Sequence, residues 1–210
     1  GRVLLVRWLR VLFVWAPVCV LVLCPHFGVS LAAFAKMGSG QVKNRSDITL
    51  ALAIDPFAPQ ADSALLAEGL QLMGGVIGGA GDADITDGVF RLNGWQWHNH
   101  GLSQVQELAY LLAAATQIFR SGTEAGLPAK LIARKTSMSV ALPADMFDGI
   151  AKCRALRRGW AGLVTALGLR ADSYPLQLQA LPSMRMFSLA DADMNIMRTT
   201  TALLGGAMGG

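Results

Sequence analysis

The stretch that decides the fold is Thr136-Ser-Met-Ser-Val-Ala-Leu142, followed by Asp145-Met-Phe-Asp-Gly-Ile-Ala-Lys-Cys-Arg-Ala-Leu-Arg-Arg-Gly-Trp160. The first run predicts a strand, and Asp145 is placed to cap a helix. Gly168 is placed to end that helix. Apolar side chains at helical spacing predict its buried face, which comprises Phe147, Ile150, Ala151, Ala155, Trp160 and Val164.

The same order of strand and helix recurs on both sides of this unit. Further strands are predicted at residues 48–54, 89–97 and 176–181. Further helices are predicted at residues 61–73, where the glycine-rich stretch 74–81 stops the helix, at 103–122, and from Asp191 or Asp193 to Gly205-Gly206. Ser103 and Gln106 form a predicted capping box at the start of the second of these helices.

Four alternating strands and helices predict an α/β fold with a parallel sheet. The pattern does not separate a closed barrel from an open, doubly wound sheet. No Gly-x-Gly-x-x-Gly follows a strand, and no phosphate-binding loop ending in Gly-Lys-Ser/Thr occurs in the sequence. A dinucleotide-binding fold is therefore not indicated.

Composition narrows the class of protein. The 210 residues are 15% charged, and the mean hydropathy of +0.42 is too apolar for a disordered chain. The net charge of +4 comes from scattered basic residues, so nucleic acid is not an expected partner. The three cysteines, Cys19, Cys24 and Cys153, show no metal-binding spacing and are expected to be buried free thiols.

Residues 1–35 form an apolar N-terminal segment that allows three interpretations. Basic residues Arg2, Arg7 and Arg10 precede the apolar run 11–24, and Ala33-Phe-Ala35 resembles a signal-peptidase site, so the segment has the parts of a secretory signal. The run of 14 residues is short for a membrane span and equally fits a buried strand and loop of a larger fold. Because the chain begins at Gly1, a fragment or a misread start is the third interpretation.

Three motifs follow one another between residues 97 and 200. They are Trp97-His-Asn-His-Gly-Leu-Ser-Gln-Val-Gln-Glu-Leu-Ala109, the helical stretch 147–161, and the stretch 183–200. Together they resemble the barrel domain of the cobalamin-dependent methylmalonyl-CoA mutases. The resemblance is closer to the small, non-catalytic subunit of the bacterial heterodimer than to the large one.

The resemblance implies an incomplete (β/α)8 barrel of TIM type, with about four βα units in a domain spanning residues 36–210. It implies a heterodimer with a large catalytic mutase subunit, which isomerises (R)-methylmalonyl-CoA and succinyl-CoA in the cytoplasm. Adenosylcobalamin and acyl-CoA are then expected only in the complex, and the isolated chain is expected to be inactive. The alternative is a non-enzymatic exported or membrane-associated protein led by residues 1–35.

The resemblance also implies roles for individual residues. Gln96 occupies the position of the family's catalytic histidine, so no catalytic residue is expected in this chain. Lys135 and Ser137 match an Arg-x-Ser pair that faces the coenzyme A, and they are the candidate substrate-binding residues. Where the catalytic chain supplies Arg, His and Gln to the acyl-CoA, this chain has Gln177, Gln179 and Leu181. The cobalt-ligating Asp-x-His-x-x-Gly signature does not occur.

The remaining polar and aromatic groups have structural interpretations. His98 and His100 lie two apart near a predicted strand end, so they are expected on one side as hydrogen-bonded histidines rather than as metal ligands. Trp95 and Trp97 are expected to pack from one face of the same strand. On one helix, a solvated or subunit-facing stripe is expected from Arg154, Arg157 and Arg158. On the last helix, a structural polar cluster is expected from Asp191, Asn195 and Arg198.

Overall fold

A computed structural model describes residues 19–22, 48–51, 53–58, 61, 64–77 and 89–210. Two short strands, β1 (Cys19–Val22) and β2 (Ile48–Ala51), pair in parallel, with Cys19 opposite Ile48. Of the N-terminal segment, only β1 is described, and the status of residues 1–35 stays a prediction. The basic residues and the Ala33-Phe-Ala35 site of the predicted signal lie outside the described residues.

The main sheet has three parallel strands in the order β3-β4-β5. They are β3 (Phe90–Asn93), β4 (Thr136–Leu142) and β5 (Gln177–Pro182). The helices are α1 (Leu65–Ile77), α2 (Gly94–Asn99), α3 (Gln104–Glu124), α4 (Ala129–Lys135), α5 (Met146–Ala166) and α6 (Met194–Gly209). Short 3₁₀ turns span Ala171–Ser173 and Met184–Met186. The predicted α/β class with a parallel sheet is confirmed, and closure into a barrel stays a prediction.

The predicted strand at residues 48–54 is wrong as one continuous element. The strand is interrupted after β2, where Ala53 adopts a positive φ of 49°. Beyond the break, Ile54 forms a single parallel bridge beside β3, with its N–H donating to the Val89 carbonyl and its carbonyl accepting from Arg91. A left-handed residue cannot continue an extended ladder, so the strand divides in two.

The predicted strand at residues 89–97 ends four residues early. The Asn93 side chain accepts the Gln96 N–H at 3.2 Å and caps the short helix α2, which begins at Gly94. A Cβ at Gly94 would lie 2.9 Å from the Ser139 carbonyl oxygen, so only glycine allows the helix to start this close to β4. Trp95 and Trp97 therefore pack from a helix and not from alternate positions of a strand.

Helix α5 forms as predicted, with the Asp145 carboxylate accepting the N–H groups of Phe147 and Asp148. Its predicted buried face is partly wrong, because Phe147 is 74% exposed and Ala151 and Ala155 are exposed as well. The face that packs on the sheet comprises Gly149, Lys152, Cys153, Leu156, Trp160 and Val164. At 100° per residue, Phe147, Ala151 and Ala155 all fall on the opposite side of the helix from the centre of this stripe.

The core lies between the apolar face of the sheet and helices α3 and α5. Side chains of β3 and β4 on that face are fully buried, as are Leu111 and Ile118 of α3. The Phe119 ring packs 5.8 Å from the ring of Trp160, whose indole N–H donates to the Tyr174 carbonyl. The Ser103–Gln106 capping box of α3 is confirmed.

The glycine stretches end their helices later than predicted. Helix α1 continues through Gly74 to Ile77, and α6 continues through Gly205-Gly206 to Gly209. Gly205 faces α5, where a Cβ would lie 2.8 Å from the Met146 carbonyl oxygen, whereas Gly206 faces Leu142 of the sheet. The outer face of α6 leaves Ile196, Met197 and Leu203 exposed. None of the described helices is long and apolar enough to cross a membrane.

Candidate functional site

One face of the sheet is polar. Strand register aligns the residues of this face in two rows, Arg91, Ser137 and Gln177 and then Asn93, Ser139 and Gln179. Because alternate residues point to the same side of a strand, these six side chains share a face, and the opposite face packs against the helices. The sequence-predicted residues Ser137, Gln177 and Gln179 are therefore brought together here.

The two candidate substrate-binding residues lie at the amino end of this face. Ser137 is buried, and its hydroxyl donates to the Phe90 carbonyl at 3.1 Å. Lys135 is the last residue of α4 and is half-buried. At about 3.3 Å per residue, Lys135 lies roughly 13 Å along the chain from Ser139, which pairs with Asn93. Lys135 is thus separated along the sheet from the end of β3 where Gln96 lies.

Gln96 belongs to a hydrogen-bonded group at the carboxyl end of β3. The Asn93 side-chain oxygen accepts the Ser139 hydroxyl at 2.9 Å, and its amide lies 3.5 Å from the Gln96 side-chain oxygen. Asp55 accepts the N–H groups of Asn93 and Phe57, while burial raises the pKa of this carboxyl. Amide and hydroxyl groups can orient a polar ligand by hydrogen bonding, but at neutral pH they do not act as general acids or bases.

A second polar group, the ionic cluster, comprises Glu107, Lys152 and His98. Lys152 Nζ lies 2.5 Å from Glu107 Oε2, and both side chains are almost fully buried. Glu107 also accepts the Ala141 N–H at 2.9 Å, and Lys152 donates to the Ala141 carbonyl at 2.7 Å. Burial raises the pKa of Glu107 and lowers the pKa of Lys152, while the ion pair between them opposes both shifts.

His98 extends the ionic cluster to the segment that follows β5. Its Nδ1 lies 3.1 Å from Glu107 Oε2, and its Nε2 lies 3.0 Å from the Ser183 hydroxyl oxygen. Burial, together with the charges of Lys152 and Arg185, lowers the pKa of His98 to about 4. The imidazole is therefore neutral at physiological pH.

The two histidines do not lie on one side as predicted. His98 is buried within α2, whereas His100 is exposed at the end of that helix, with Nδ1 2.7 Å from the Gln96 carbonyl oxygen. The strand geometry that would align them ends at Asn93. Both make hydrogen-bonding contacts, as expected. Within the described part of the chain, no three His, Cys, Asp or Glu side chains are grouped to hold a metal ion.

The arginine stripe of α5 is only partly solvated. Arg154 donates to the Met208 carbonyl and Arg157 to the Leu176 carbonyl, while Arg158 is exposed. The Arg154 guanidinium satisfies a carbonyl in the last turn of α6 that has no partner within that helix. Cys153 is a buried free thiol as predicted, and burial raises its pKa.

The predicted polar cluster on the last helix is right for two of its three residues. Arg198 donates to the Asn195 side-chain oxygen at 2.9 Å, and Asn195 also bonds the backbone of Ser188 in both directions. Asp191 lies before α6 begins and is exposed, so it does not share a helical face with the other two.

Glu107, Lys152 and Ser183 were not predicted as site residues. The available signal was a charge on each of two apolar stripes, since Glu107 precedes Leu111 by four positions and Lys152 precedes Leu156 by four. Opposite charges on the buried faces of two helices indicate a buried pair, because an unpaired charge is too costly to bury.

Together these observations define a parallel α/β domain whose sheet has one polar face and a polar carboxyl end. The sequence profile of the methylmalonyl-CoA mutase family matches residues 89–210. This chain belongs to the methylmalonyl-CoA mutase family.

Curated relatives give the same family. The chain is 28% identical to the probable methylmalonyl-CoA mutase small subunit of Mycobacterium bovis over 186 residues, which cover 89% of this chain and 29% of that protein. It is 35% identical to the methylmalonyl-CoA mutase small subunit of Streptomyces virginiae over 54% of this chain and 18% of that protein. The corresponding subunit of Propionibacterium freudenreichii subsp. shermanii is 32% identical over the same shares. The chain therefore spans less than a third of the length of these relatives.

Proposed function

We propose that this chain contributes to a (β/α)8 barrel in a small, non-catalytic methylmalonyl-CoA mutase subunit. Strand order supports the barrel. The parallel neighbours follow the order of the sequence, from β1 to β2, then from Ile54 to β3, β4 and β5. Barrel strands keep this sequential order, whereas a doubly wound sheet reverses it at a switch point.

The proposed role is to support a large catalytic subunit in a cytoplasmic heterodimer. That subunit would isomerise (R)-methylmalonyl-CoA and succinyl-CoA with adenosylcobalamin, and residues 36–210 of this chain would form the supporting barrel domain. The observation that carries this proposal is Gln96 at the carboxyl end of the sheet. An amide bonded to Asn93 replaces the family's histidine there and cannot act as a general acid or base.

The two described histidines do not fit the role of a cobalt ligand. Both ring nitrogens of His98 face protein groups, Glu107 on one side and Ser183 on the other. His100 lies outside the Asp-x-His-x-x-Gly context that ligates cobalt in the family. The cofactor is therefore assigned to the partner subunit.

Lys135 and Ser137 are proposed to contact the coenzyme A portion of a substrate in the complex. A half-buried ammonium at the amino end of a polar sheet face attracts phosphate as a point charge. The Ser137 hydroxyl donates its proton to the Phe90 carbonyl, so its oxygen can still accept a hydrogen bond. Ser137 lies in the same row of the polar face as Arg91 and Gln177. This arrangement supports binding, and no step of the rearrangement is assigned to these residues.

The proposal is tested by producing the full chain alone and together with a large mutase subunit. Mutase turnover, spectral titration with adenosylcobalamin and size-exclusion chromatography are measured for each preparation. We expect the chain alone to give neither turnover nor a spectral change, and the mixture to elute as a heterodimer. Turnover by the isolated chain would overturn the non-catalytic assignment, and separate elution would overturn the partner assignment.

A pair of lysines on α4 tests the acyl-CoA contact. Lys135→Ala should weaken acyl-CoA binding by the complex, while Lys130→Ala, at an exposed position on the same helix, should leave it unchanged. Equal affinity in the two variants would exclude Lys135 from the site.

The alternative, an exported protein, is tested by measuring the intact mass of the expressed protein, because a mature N-terminus at Lys36 would support it.

A further inference from the structure

The link between His98 and Ser183 joins two parts of the chain that lie far apart in sequence. His98 belongs to α2, and Ser183 begins the 3₁₀ turn Met184–Met186 that follows β5. Both residues are buried, and the His98 Nε2 to Ser183 Oγ distance is 3.0 Å. A second link crosses the same gap, since the Met184 N–H donates to the Asn99 side-chain oxygen at 3.0 Å.

The hydrogen-bonding roles at His98 follow from its neighbours. Ser183 Oγ already accepts the Arg185 N–H at 3.2 Å, so its own proton remains to be donated. Nδ1 lies 3.1 Å from Glu107 Oε2 but outside hydrogen-bond geometry, so it is the negative charge of the carboxylate that favours a proton on Nδ1 over a lone pair there. The neutral imidazole is then protonated at Nδ1 and accepts the Ser183 hydroxyl at Nε2.

The order serine, histidine, carboxylate is that of an activated nucleophile, but this arrangement is closed to a substrate. Ser183 is only 2% exposed, and its oxygen caps the turn that follows it. The Glu107 oxygen that faces His98, Oε2, is already paired with Lys152. A nucleophile must be reachable by the atom that it attacks, so the group holds structure and performs no acyl transfer.

We propose that His98, fixed as the Nδ1–H tautomer by the Glu107 carboxylate, is a positioning residue that holds the segment Ser183–Phe187 against α2. The segment matters because its last side chain, Phe187, lines an open cavity of about 410 Å³. The other lining residues are Asn195, Ile196, Thr199 and Thr200 of α6. His98 thus sets one wall of this cavity through Ser183, without touching the cavity itself. The charged groups that face the imidazole are Glu107, Lys152 and Arg185.

The tautomer is tested by ¹⁵N NMR of the full chain labelled at histidine, with His26→Gln and His100→Gln variants to assign the His98 signals. At pH 7.5 we expect a protonated Nδ1 and an unprotonated, hydrogen-bonded Nε2. Removal of the hydroxyl in Ser183→Ala should move the Nε2 shift and leave Nδ1 protonated. An Nε2–H tautomer, or an imidazolium at this pH, would overturn the proposal.

Positioning of the segment is tested by hydrogen exchange at the Met184 and Phe187 amides, which do not bond to the Ser183 side chain. Ser183→Ala should speed exchange at both by about tenfold, as expected for loss of one buried hydrogen bond. Ser183→Thr keeps the hydroxyl and should retain protection. Ser103→Ala removes a comparable cap at the start of α3 and should leave these two amides unchanged.

Unchanged protection in Ser183→Ala would show that the segment is held without His98. Faster exchange in Ser103→Ala as well would show general destabilisation and would also overturn the proposal. If Ser183→Ala does not fold, the wild-type tautomer and the protection in Ser183→Thr decide the outcome.

Discussion

Lys152 and Glu107 form a buried ion pair whose two members bond the backbone of the same residue, Ala141. Strand β3 ends at Asn93, opposite Ser139, so no described strand lies beside Ala141 on that side. The Glu107 carboxylate takes the place of the missing carbonyl, and the Lys152 ammonium takes the place of the missing N–H. The ion pair thereby satisfies buried backbone groups that would otherwise lack partners.

This arrangement explains why two charges can be buried at this point. An isolated buried ion pair often costs more in desolvation than it returns, but additional hydrogen bonds to both members offset that cost. Removing both charges should therefore cost less than the sum of the two single removals.

We predict that Lys152→Met and Glu107→Gln each lower the free energy of unfolding by about 3–5 kcal/mol, because each leaves one uncompensated buried charge. The double variant should lose clearly less than the sum of the two, since the amide oxygen introduced by Glu107→Gln can still accept the Ala141 N–H. Urea denaturation of the four proteins measures the coupling energy, which should reach about 2 kcal/mol.

Two exposed charges provide the control for this cycle. Glu124→Gln and Lys130→Met remove opposite charges from the surface and should change stability little, alone or together. Strictly additive effects at Glu107 and Lys152 would show that the two side chains are not coupled.

Substitutions at Trp160 and Phe147 test which face of α5 is buried. Trp160 is 2% exposed and packs on Phe119, so Trp160→Ala should cost about 3–5 kcal/mol. Phe147→Ala should have a small effect, because most of that ring is in solvent. Thermal and urea unfolding of the two variants decide between this face and the predicted one, which placed both side chains in the core. Comparable losses would restore the predicted face.

The elements that could be predicted from the sequence are those with strong local signals. Capping by Asp145 and by Ser103 with Gln106 depends on neighbouring backbone groups only, and both caps form as expected. The strand ending at Asn93 was missed because its end depends on a long-range fit, in which Gly94 approaches Ser139 of another strand. Periodicity within a single strand contains no information about that contact.

The candidate site also has a part that the sequence predicts and a part that depends on the tertiary fold. Register brings Ser137, Gln177 and Gln179 to one face, which strand alternation alone could anticipate. The link from Glu107 through His98 to Ser183 connects helices and a turn that are distant in sequence, and only the fold shows it. The local sequence signal for this link was the presence of charged residues, Glu107 and Lys152, on apolar helix faces.

Stability should fall on mild acidification because of His98. Its pKa is about 4 in the folded protein against an ordinary value of 6.5, so between these values the unfolded chain binds a proton that the folded chain excludes. The contribution is complete above pH 6.5 and is lost as the pH falls towards 4, by at most about 1.4 kcal/mol per pH unit. Urea denaturation from pH 7.5 to 5 measures the slope.

Two histidine variants isolate this contribution from the carboxyl groups that titrate nearby. His98→Gln places a neutral amide at the site and should flatten the slope between pH 6.5 and 5, whereas His100→Gln should retain it. An unchanged slope in His98→Gln would mean that the imidazole is not protected from protonation in the folded protein.

Two glycines test the close packing of α5 against α6. Gly205→Ala should lower the free energy of unfolding by about 1–3 kcal/mol, because the added Cβ would lie 2.8 Å from the Met146 carbonyl oxygen and push the helices apart. Gly162→Ala lies within α5, where an added Cβ has no neighbour among the described residues within 4 Å, so the gain in helix propensity should stabilise the protein by about 0.5–1 kcal/mol. Urea denaturation compares the two. The opposite signs are the informative result, since a stabilising Gly205→Ala would mean that α6 does not pack this closely on α5.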